Sequence, residues 1–382
     1  MKILLSIHHF LDPDSGAPGA TFRIGEQLRN LGHEVQIFSF DDLPSWLPNI
    51  AKKLLFPWFL ASRVLKLSKY NAIDVLDAST GDAWVWCRWG RKKEGKPLVV
   101  TRSYGLEQMA HLRNLAEARK GELRLNWRYP IYHGGWRLRE VASSLRCADL
   151  VFQMNTRDLK FAVETMRVSQ EKSAVVPYGL PDSFLNQPIK PLAEDQVIRI
   201  AQIGTFIPRK GIQYSVPAIN ALLLRYPNLA VGFLGTGVDS SVVVNGFDES
   251  VRERVHVVPE YAHGELPILL QDYQIQLFAS LSEGFGFTLL EGMACGLAPV
   301  ATDIPGPSDF IINGENGLLI PSAQSGAIQS ALEKLVVDRV YLETMRKAAL
   351  ESVQHYSWQR CAQEYITLYK KGLARLQVSA EL

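Results

Sequence analysis

The 382-residue chain has little cysteine: Cys87, Cys147, Cys295 and Cys361 are scattered. They make no metal-ligand spacing, and a reduced cytoplasmic setting fits them best. Long apolar runs are missing too. No stretch reaches the roughly 18–20 unbroken apolar residues that a membrane span needs. The apolar start Met1-Lys2-Ile3-Leu4-Leu5 stops at His8-His9, too soon for a secretory leader. Charge of one sign is missing as well. Lys and Arg number 41 against 39 Asp and Glu, a net +2, so the whole molecule has no electrostatic argument for nucleic acid. Internal repeats and low-complexity segments are not evident. What remains is a globular composition, 47% apolar and 21% charged, on a chain long enough for two domains.

The first forty residues set the fold class. Lys2 to Ile7 reads as a buried strand, Asp12 to Gly19 as a loop, and about Ala20 to Leu31 as a helix that Gly32 ends. Glu34 to Phe40 reads as the next strand. Strand–helix–strand at this spacing makes a βαβ unit on a parallel sheet, so the class is α/β. The loop after the first strand then lies at the carboxyl edge, where open α/β sheets bind ligands. Ala72–Leu76, Pro97–Thr101, Asp149–Gln153 and Ala174–Val176 read as further strands, with 77–82 as another carboxyl-edge loop. Residues 186–195 hold two prolines and mixed polarity, and read as an interdomain linker. A second βαβ series follows, with strands at Ile198–Ile203, Leu229–Leu234, Val255–Val258 and Ala298–Ala301. His263 to Leu270 reads as a short helix near a nucleotide base.

The chemistry concentrates in two places. Ser280 to Gly296 reads as strand end, glycine loop and helix, with Gly284 and Gly286 where the chain turns sharply and Gly296 as the helix cap. The loop's N–H groups lie at a helix N-terminus, which suits phosphate. Glu283 precedes the glycines and Glu291 lies about one turn into the helix. Each carboxylate can accept two hydroxyl hydrogen bonds, which suits a hexose or a ribose at either end of a sugar nucleotide. An ordinary turn with two solvated acids is the alternative, but glycines, both acids and a small-residue helix occur together. The second place is Gly204 to Gly211, after a strand. There Arg209 and Lys210 are fixed cations beside a glycine turn, suited to a diphosphate. A surface turn with two solvated cations is the alternative.

On Glu283, Gly284-Phe285-Gly286 and Glu291, the chain resembles the donor-site signature of the retaining glycosyltransferases of family four. That family has the GT-B fold, two Rossmann-like parallel-sheet domains facing across a cleft. The resemblance implies that Glu283 contacts the transferred sugar and Glu291 the ribose. The amides from Gly284 through Gly286 to Phe287 and Thr288 would meet the diphosphate and sugar. Arg209-Lys210-Gly211 is similar to the family element whose cations bind the diphosphate. Gly16, in a family pattern that often has two adjacent glycines, would approach the same group; here the pair is Ser15-Gly16. A histidine commonly precedes the glycine of Ser103-Tyr104-Gly105 in the family. Tyr104 stands there and would hydrogen-bond the donor sugar or shape the acceptor pocket, although a phenol with a reference pKa of about 10 is a poor proton shuttle. Pro177-Tyr178-Gly179 resembles the family's Pro-Asn-Gly segment.

The domain division follows: an acceptor-binding domain over 1–185, completed by a terminal helix at about 358–382; the linker; and a nucleotide-sugar-binding domain over 196–357. The implied reaction moves a sugar, with retained configuration, from a nucleoside-diphosphate-sugar to an acceptor in glycan, polysaccharide or glycolipid synthesis. Glu283, Arg209 and Lys210 would be catalytic, with no metal and no cofactor beyond the donor. The partners would be that donor and a sugar, glycan or lipid-linked acceptor, without nucleic acid. A glycoside hydrolase would use paired carboxylates about 5–10 Å apart but has no use for Arg209-Lys210. A catalytically inactive sugar-nucleotide-binding protein of the same fold is the other alternative, which Tyr104 raises.

Two basic, aromatic stretches stand outside this scheme. Residues 43–69 mix Trp46, Trp58, Phe59 and leucines with Lys52, Lys53, Arg63, Lys66 and Lys69. Such a helix either packs its apolar face on a sheet or lies on the inner face of an anionic membrane. Pro57 is expected to interrupt it. Residues 113–146 interleave arginines with Trp127, Tyr129, Tyr132 and Trp136. They read either as a solvated helical hairpin with inward aromatics or as a surface for a phosphorylated acceptor or lipid.

Overall fold

The structure, a computed structural model, describes residues 1–90, 96–121, 123–193 and 196–381. Among these, twelve strands form two parallel six-stranded sheets. The first holds β1 (Lys2–Ser6), β2 (Glu34–Phe38), β3 (Val75–Ser79), β4 (Leu98–Arg102), β5 (Leu150–Gln153) and β6 (Ser173–Val175), in the order β2-β1-β3-β4-β5-β6. The second holds β7 (Ile198–Ile203), β8 (Leu229–Leu234), β9 (Val255–Val258), β10 (Ile275–Phe278), β11 (Ala298–Thr302) and β12 (Leu318–Ile320), in the order β12-β11-β10-β7-β8-β9. Central strands are buried throughout, as parallel strands covered on both faces by helices must be. In each sheet the strand order reverses at one place, between β1 and β3 in the first and between β7 and β10 in the second. Crevices at the carboxyl ends of such strands are where open α/β sheets take ligands.

The chain divides into two compact units. One is Met1–Gly179 with the closing helix Trp358–Glu381; the other is Leu180–Ser357. The closing helix belongs to the first unit for physical reasons. Its Tyr369 hydroxyl bonds the fully buried Asp77, and Gly372 lies close against Leu98 and Leu150. The expected linker is not a linker where it is described. The Asn186 amide bonds Gln354 at 2.7 Å, Arg346 donates to the Lys190 carbonyl at 3.1 Å, and Leu192 packs on the second core. The prolines there separate packing residues rather than marking a free tether. Positions 194–195 of the expected linker, and residue 382 at the end of the terminal helix, lie outside the described residues.

Three elements differ from expectation in instructive ways. The helix expected from Ala20 begins at Gly16, so the preceding loop is shorter. The third strand is shifted and carries Asp77 and Ser79 inside it, both fully buried. A buried carboxylate is tolerable there because Arg102 of β4 donates to it at 2.9 Å. Pro57 does not break its helix, which runs from Asn49 to Lys69. An interior proline costs about 3 kcal/mol. Burial of Phe56, Leu60 and Val64 on the inward face offsets that cost.

Candidate functional site

The loops after β7 and β10 lie side by side because those strands are neighbours in the second sheet. Pro208–Lys210 forms one helical turn, and Gly211 ends it with φ 73°. A Cβ at Gly211 would sit 2.0 Å from the Ala279 carbonyl, so only glycine lets this loop close on the end of β10. The contact is reinforced by the Leu281 amide, which donates to the Arg209 carbonyl at 2.9 Å. The expected Arg209, Lys210 and Glu283 therefore come together. Lys210 Nζ lies 2.6 Å from Glu283 Oε1, and Arg209 Nη1 lies 3.2 Å from the same oxygen. Arg209 Nη1 also donates to the Ser282 carbonyl at 3.1 Å, and Ser280 Oγ to Glu283 at 3.2 Å. Lys210 and Glu283 are each 15% exposed, whereas Arg209 is half exposed.

Gly286 has φ 93° and precedes the helix Phe287–Ala294, which Gly296 closes with φ 76°. A residue with a side chain would be strained at Gly286. The buried Gln276 donates to the Thr288 carbonyl at 2.6 Å and pins the helix start to β10. The Phe285 ring is buried, edge-on to Phe287 and Phe310 at 4.8 and 5.0 Å, so what it offers a ligand is backbone. Glu291 lies on this helix and is buried, bonded through Oε1 to His263 Nε2 at 2.7 Å. Burial pushes the nearby Cys295 thiol up to about 12, with Glu291 adding to the rise. His263 itself tilts against Phe184 at 5.3 Å. Nothing in the sequence marks His263 as Glu291's partner, since a short helix, a strand and a loop separate them.

Gly16 stands at the start of the helix Gly16–Asn30, and a Cβ there would meet nothing within 4 Å. Tyr104 is held by its neighbours within the first unit. Its hydroxyl is bonded to Thr21 Oγ1 and to Nη1 of the buried Arg102, and its ring lies 5.7 Å from Tyr178. Burial pushes this phenol up, against the downward pull of Arg102. It therefore stays protonated near neutral pH. Tyr104→Phe is expected to destabilise the fold by about 1–3 kcal/mol, because a bond from a charged, buried donor is lost. A thermal midpoint lower by a few degrees would show this; an unchanged midpoint would mean that the hydroxyl is not held inside.

The first unit has a cluster that sequence reasoning missed, at the reversal point between β1 and β3. His8 Nδ1 lies 2.9 Å from Asp82 Oδ1, and Ser6 Oγ donates to Asp82 Oδ2 at 3.1 Å. Arg137 donates to Thr80 at 3.0 Å and to Glu140 at 3.2 Å, and lies 3.3 Å from His8 Nε2. Glu107 approaches Arg137 at 3.4 Å. Burial alone would lower Arg137, but Glu107, Asp82 and Glu140 hold it above the usual value. Burial also pushes the Glu140 carboxyl up, against Arg137. The only sequence signals were the carboxyl-edge position of 77–82 and the arginine content of 113–146. Neither says that Arg137 turns inward to Asp82.

Two parallel sheets with these loops at their reversal points define the GT-B class of fold. Sucrose-phosphate synthase from Thermosynechococcus elongatus superposes with a TM-score of 0.75 at 18% identity, covering 98% of this chain and 99% of that one. Anabaena HepE in complex with UDP and glucose gives 0.66 at 17% identity, covering 96% and 98%. Residues 185–352 match the family described as glycosyl transferases group 1. The chain is 30% identical over 199 residues to the GtfA subunit of a UDP-N-acetylglucosamine–peptide N-acetylglucosaminyltransferase from Streptococcus pneumoniae, half of this chain and 36% of that protein. It is 28% identical over 174 residues to O-antigen chain mannosyltransferase B of Escherichia coli, 44% of each. The chain thus spans less than half the length of these curated relatives.

Proposed function

We propose that the protein is a retaining glycosyltransferase that moves a sugar from a nucleoside-diphosphate-sugar to a sugar, glycan or lipid-linked acceptor. The observation that carries this reading is the convergence of Lys210 and Arg209 on Glu283 at the β7/β10 reversal point, with Glu291 beyond the glycine turn. In this reading the diphosphate lies over the turn, Glu291 holds ribose hydroxyls and Glu283 holds the sugar. As the bond from the anomeric carbon to the diphosphate breaks, negative charge gathers on the departing oxygen. Two fixed cations and the helix N-terminus would stabilise that charge without a metal. Relatives that make glycans, such as the O-antigen mannosyltransferase, support the reaction class. A HepE structure in complex with UDP-glucose makes a uridine diphosphate sugar the first donor to try.

The acceptor is assigned to the first unit, at His8, Asp82 and Arg137. His8, 21% exposed, can meet a sugar hydroxyl, with the buried Asp82 and Arg137 holding its ring, and it stands where the first sheet would take a ligand. The test is to incubate the full chain with uridine and guanosine diphosphate sugars and a panel of acceptors. Nucleoside diphosphate release is followed, and the product's anomeric configuration is read by NMR. Acceptor-dependent release with retained configuration is the expected result. An inverted product removes the retaining mechanism. Tight donor binding with no consumption by any acceptor would favour the inactive binding protein.

A further inference from the structure

Four tryptophans of the first unit form one cluster. Trp58 stacks on Trp89 with ring centres 5.0 Å apart, and Trp84 meets them at 5.9 and 5.4 Å. Trp136 meets Trp84 at 5.9 Å. Trp84 is buried, but Trp58, Trp89 and Trp136 are 49%, 53% and 47% exposed. Large apolar surface left in water is unfavourable, and a contiguous patch marks an interaction site. The helix Asn49–Lys69 extends the patch. Ile50, Leu54, Trp58 and Leu65 share one outward stripe at helical spacing, while Phe56, Leu60 and Val64 fill the inward face. This helix is apolar on both sides, and only one side faces the core.

The exposed charges on the elements that carry the cluster have a single sign. The tryptophans sit on three pieces of chain: the helix Asn49–Lys69, residues 84–90 and the run from Trp136 into the helix Arg137–Cys147. The last helix and the turn Trp86–Gly90 carry exposed Arg88, Arg139 and Arg146, and the first carries exposed Lys53, Lys66 and Lys69. Among these helices and that turn the one acid is Glu140, and it is buried. Arg88, Arg139 and Arg146 also line an open groove of about 580 Å³ together with Ser143. Guanidinium groups bind phosphate with two parallel hydrogen bonds. The indole, apolar in body and polar at one edge, is favoured at the headgroup boundary of a bilayer.

We propose that this face docks the protein onto an anionic phospholipid bilayer. Trp58 and Trp89 would enter the headgroup–acyl boundary, and the arginine groove would take lipid phosphates. No helix among the described residues is long and apolar enough to cross a membrane, so the contact is one of surface insertion. A second copy of this chain is the poorer occupant, because two cationic faces would oppose each other. A soluble polyanion would leave the tryptophans in water.

The experiment uses the full chain with vesicles of phosphatidylcholine alone and of phosphatidylcholine with phosphatidylglycerol. Flotation measures partition, and tryptophan emission with brominated acyl chains measures insertion. Partition to the anionic vesicles, with blue-shifted emission quenched by the bromines, is expected. Arg88→Gln and Arg139→Gln are each expected to weaken partition about fivefold, and roughly twentyfold together. Trp89→Ala should reduce the quenching, with circular dichroism confirming that it folds. The proposal is overturned if the native chain ignores anionic vesicles, or if the double arginine variant partitions as the native chain does. It is equally overturned if inorganic polyphosphate binds this face while no emission shift accompanies vesicles, or if the patch proves to hold two copies together in solution.

Discussion

Lys210→Ala is expected to lower sugar transfer by about a hundredfold to a thousandfold, the loss seen when one preorganised donor to a developing anion is removed. The size follows from where the ammonium sits. It is 15% exposed and held 2.6 Å from Glu283, in a loop closed by Gly211, so water screens it little and its position is set before the donor binds. Arg209→Ala should cost less, because its guanidinium is half exposed and water screens it. Folding should survive Lys210→Ala, since Glu283 keeps Arg209 and Ser280 as partners. Single-turnover rates at saturating donor, with thermal unfolding as the control, make the measurement. A Lys210→Ala protein that turns over at near the native rate would remove Lys210 from the leaving group.

The second large effect separates the two glutamates. Glu291→Ala is expected to weaken binding of a free nucleoside diphosphate by about ten- to a hundredfold, the loss of charge-assisted bonds to ribose hydroxyls. Glu283→Ala should leave that affinity nearly intact and depress transfer, because its proposed partner is the sugar. Calorimetry with the nucleotide alone and kinetics with the intact donor read the two separately. The His263 contact adds a control. Glu291 is buried against His263, so Glu291→Ala also leaves an imidazole without its carboxylate. His263→Ala should then reproduce only part of the affinity loss, by loosening the Glu291 side chain. If both glutamate variants lose nucleotide affinity and transfer to the same degree, the assignment of ribose to one and sugar to the other fails.

The residues proposed for the donor could be picked out in the sequence because they are local. Glu283, the two glycines and Glu291 lie within nine consecutive residues, and Arg209-Lys210-Gly211 within three. A strand–turn–helix places such a run by itself, with φ of 93° at Gly286 as the glycine promised. Strands β7, β8 and β9 were legible to the residue, since each is an apolar run between turn residues. β3 was not. Its Asp77 and Ser79 read as loop until Arg102 and Tyr369 arrive from distant segments to satisfy them. For Tyr104 the position in the loop after β4 was readable, but the inward turn of its hydroxyl depends on Thr21 and Arg102.

The sequence by itself determined the α/β alternation, the turn chemistry and the two charged loops, because each depends on neighbours a few residues apart. Tertiary structure alone decided which loops meet. Parallel strands are ordered by crossovers, and no local signal says that β10 lies beside β7 rather than beside β9. That order puts Lys210 on Glu283, more than seventy residues away. In the first unit it gathers His8, Asp82 and Arg137 from three segments. It also decided which face of the helix Asn49–Lys69 is covered. The sequence shows apolar residues all round, but only packing could leave Ile50, Leu54, Trp58 and Leu65 outside.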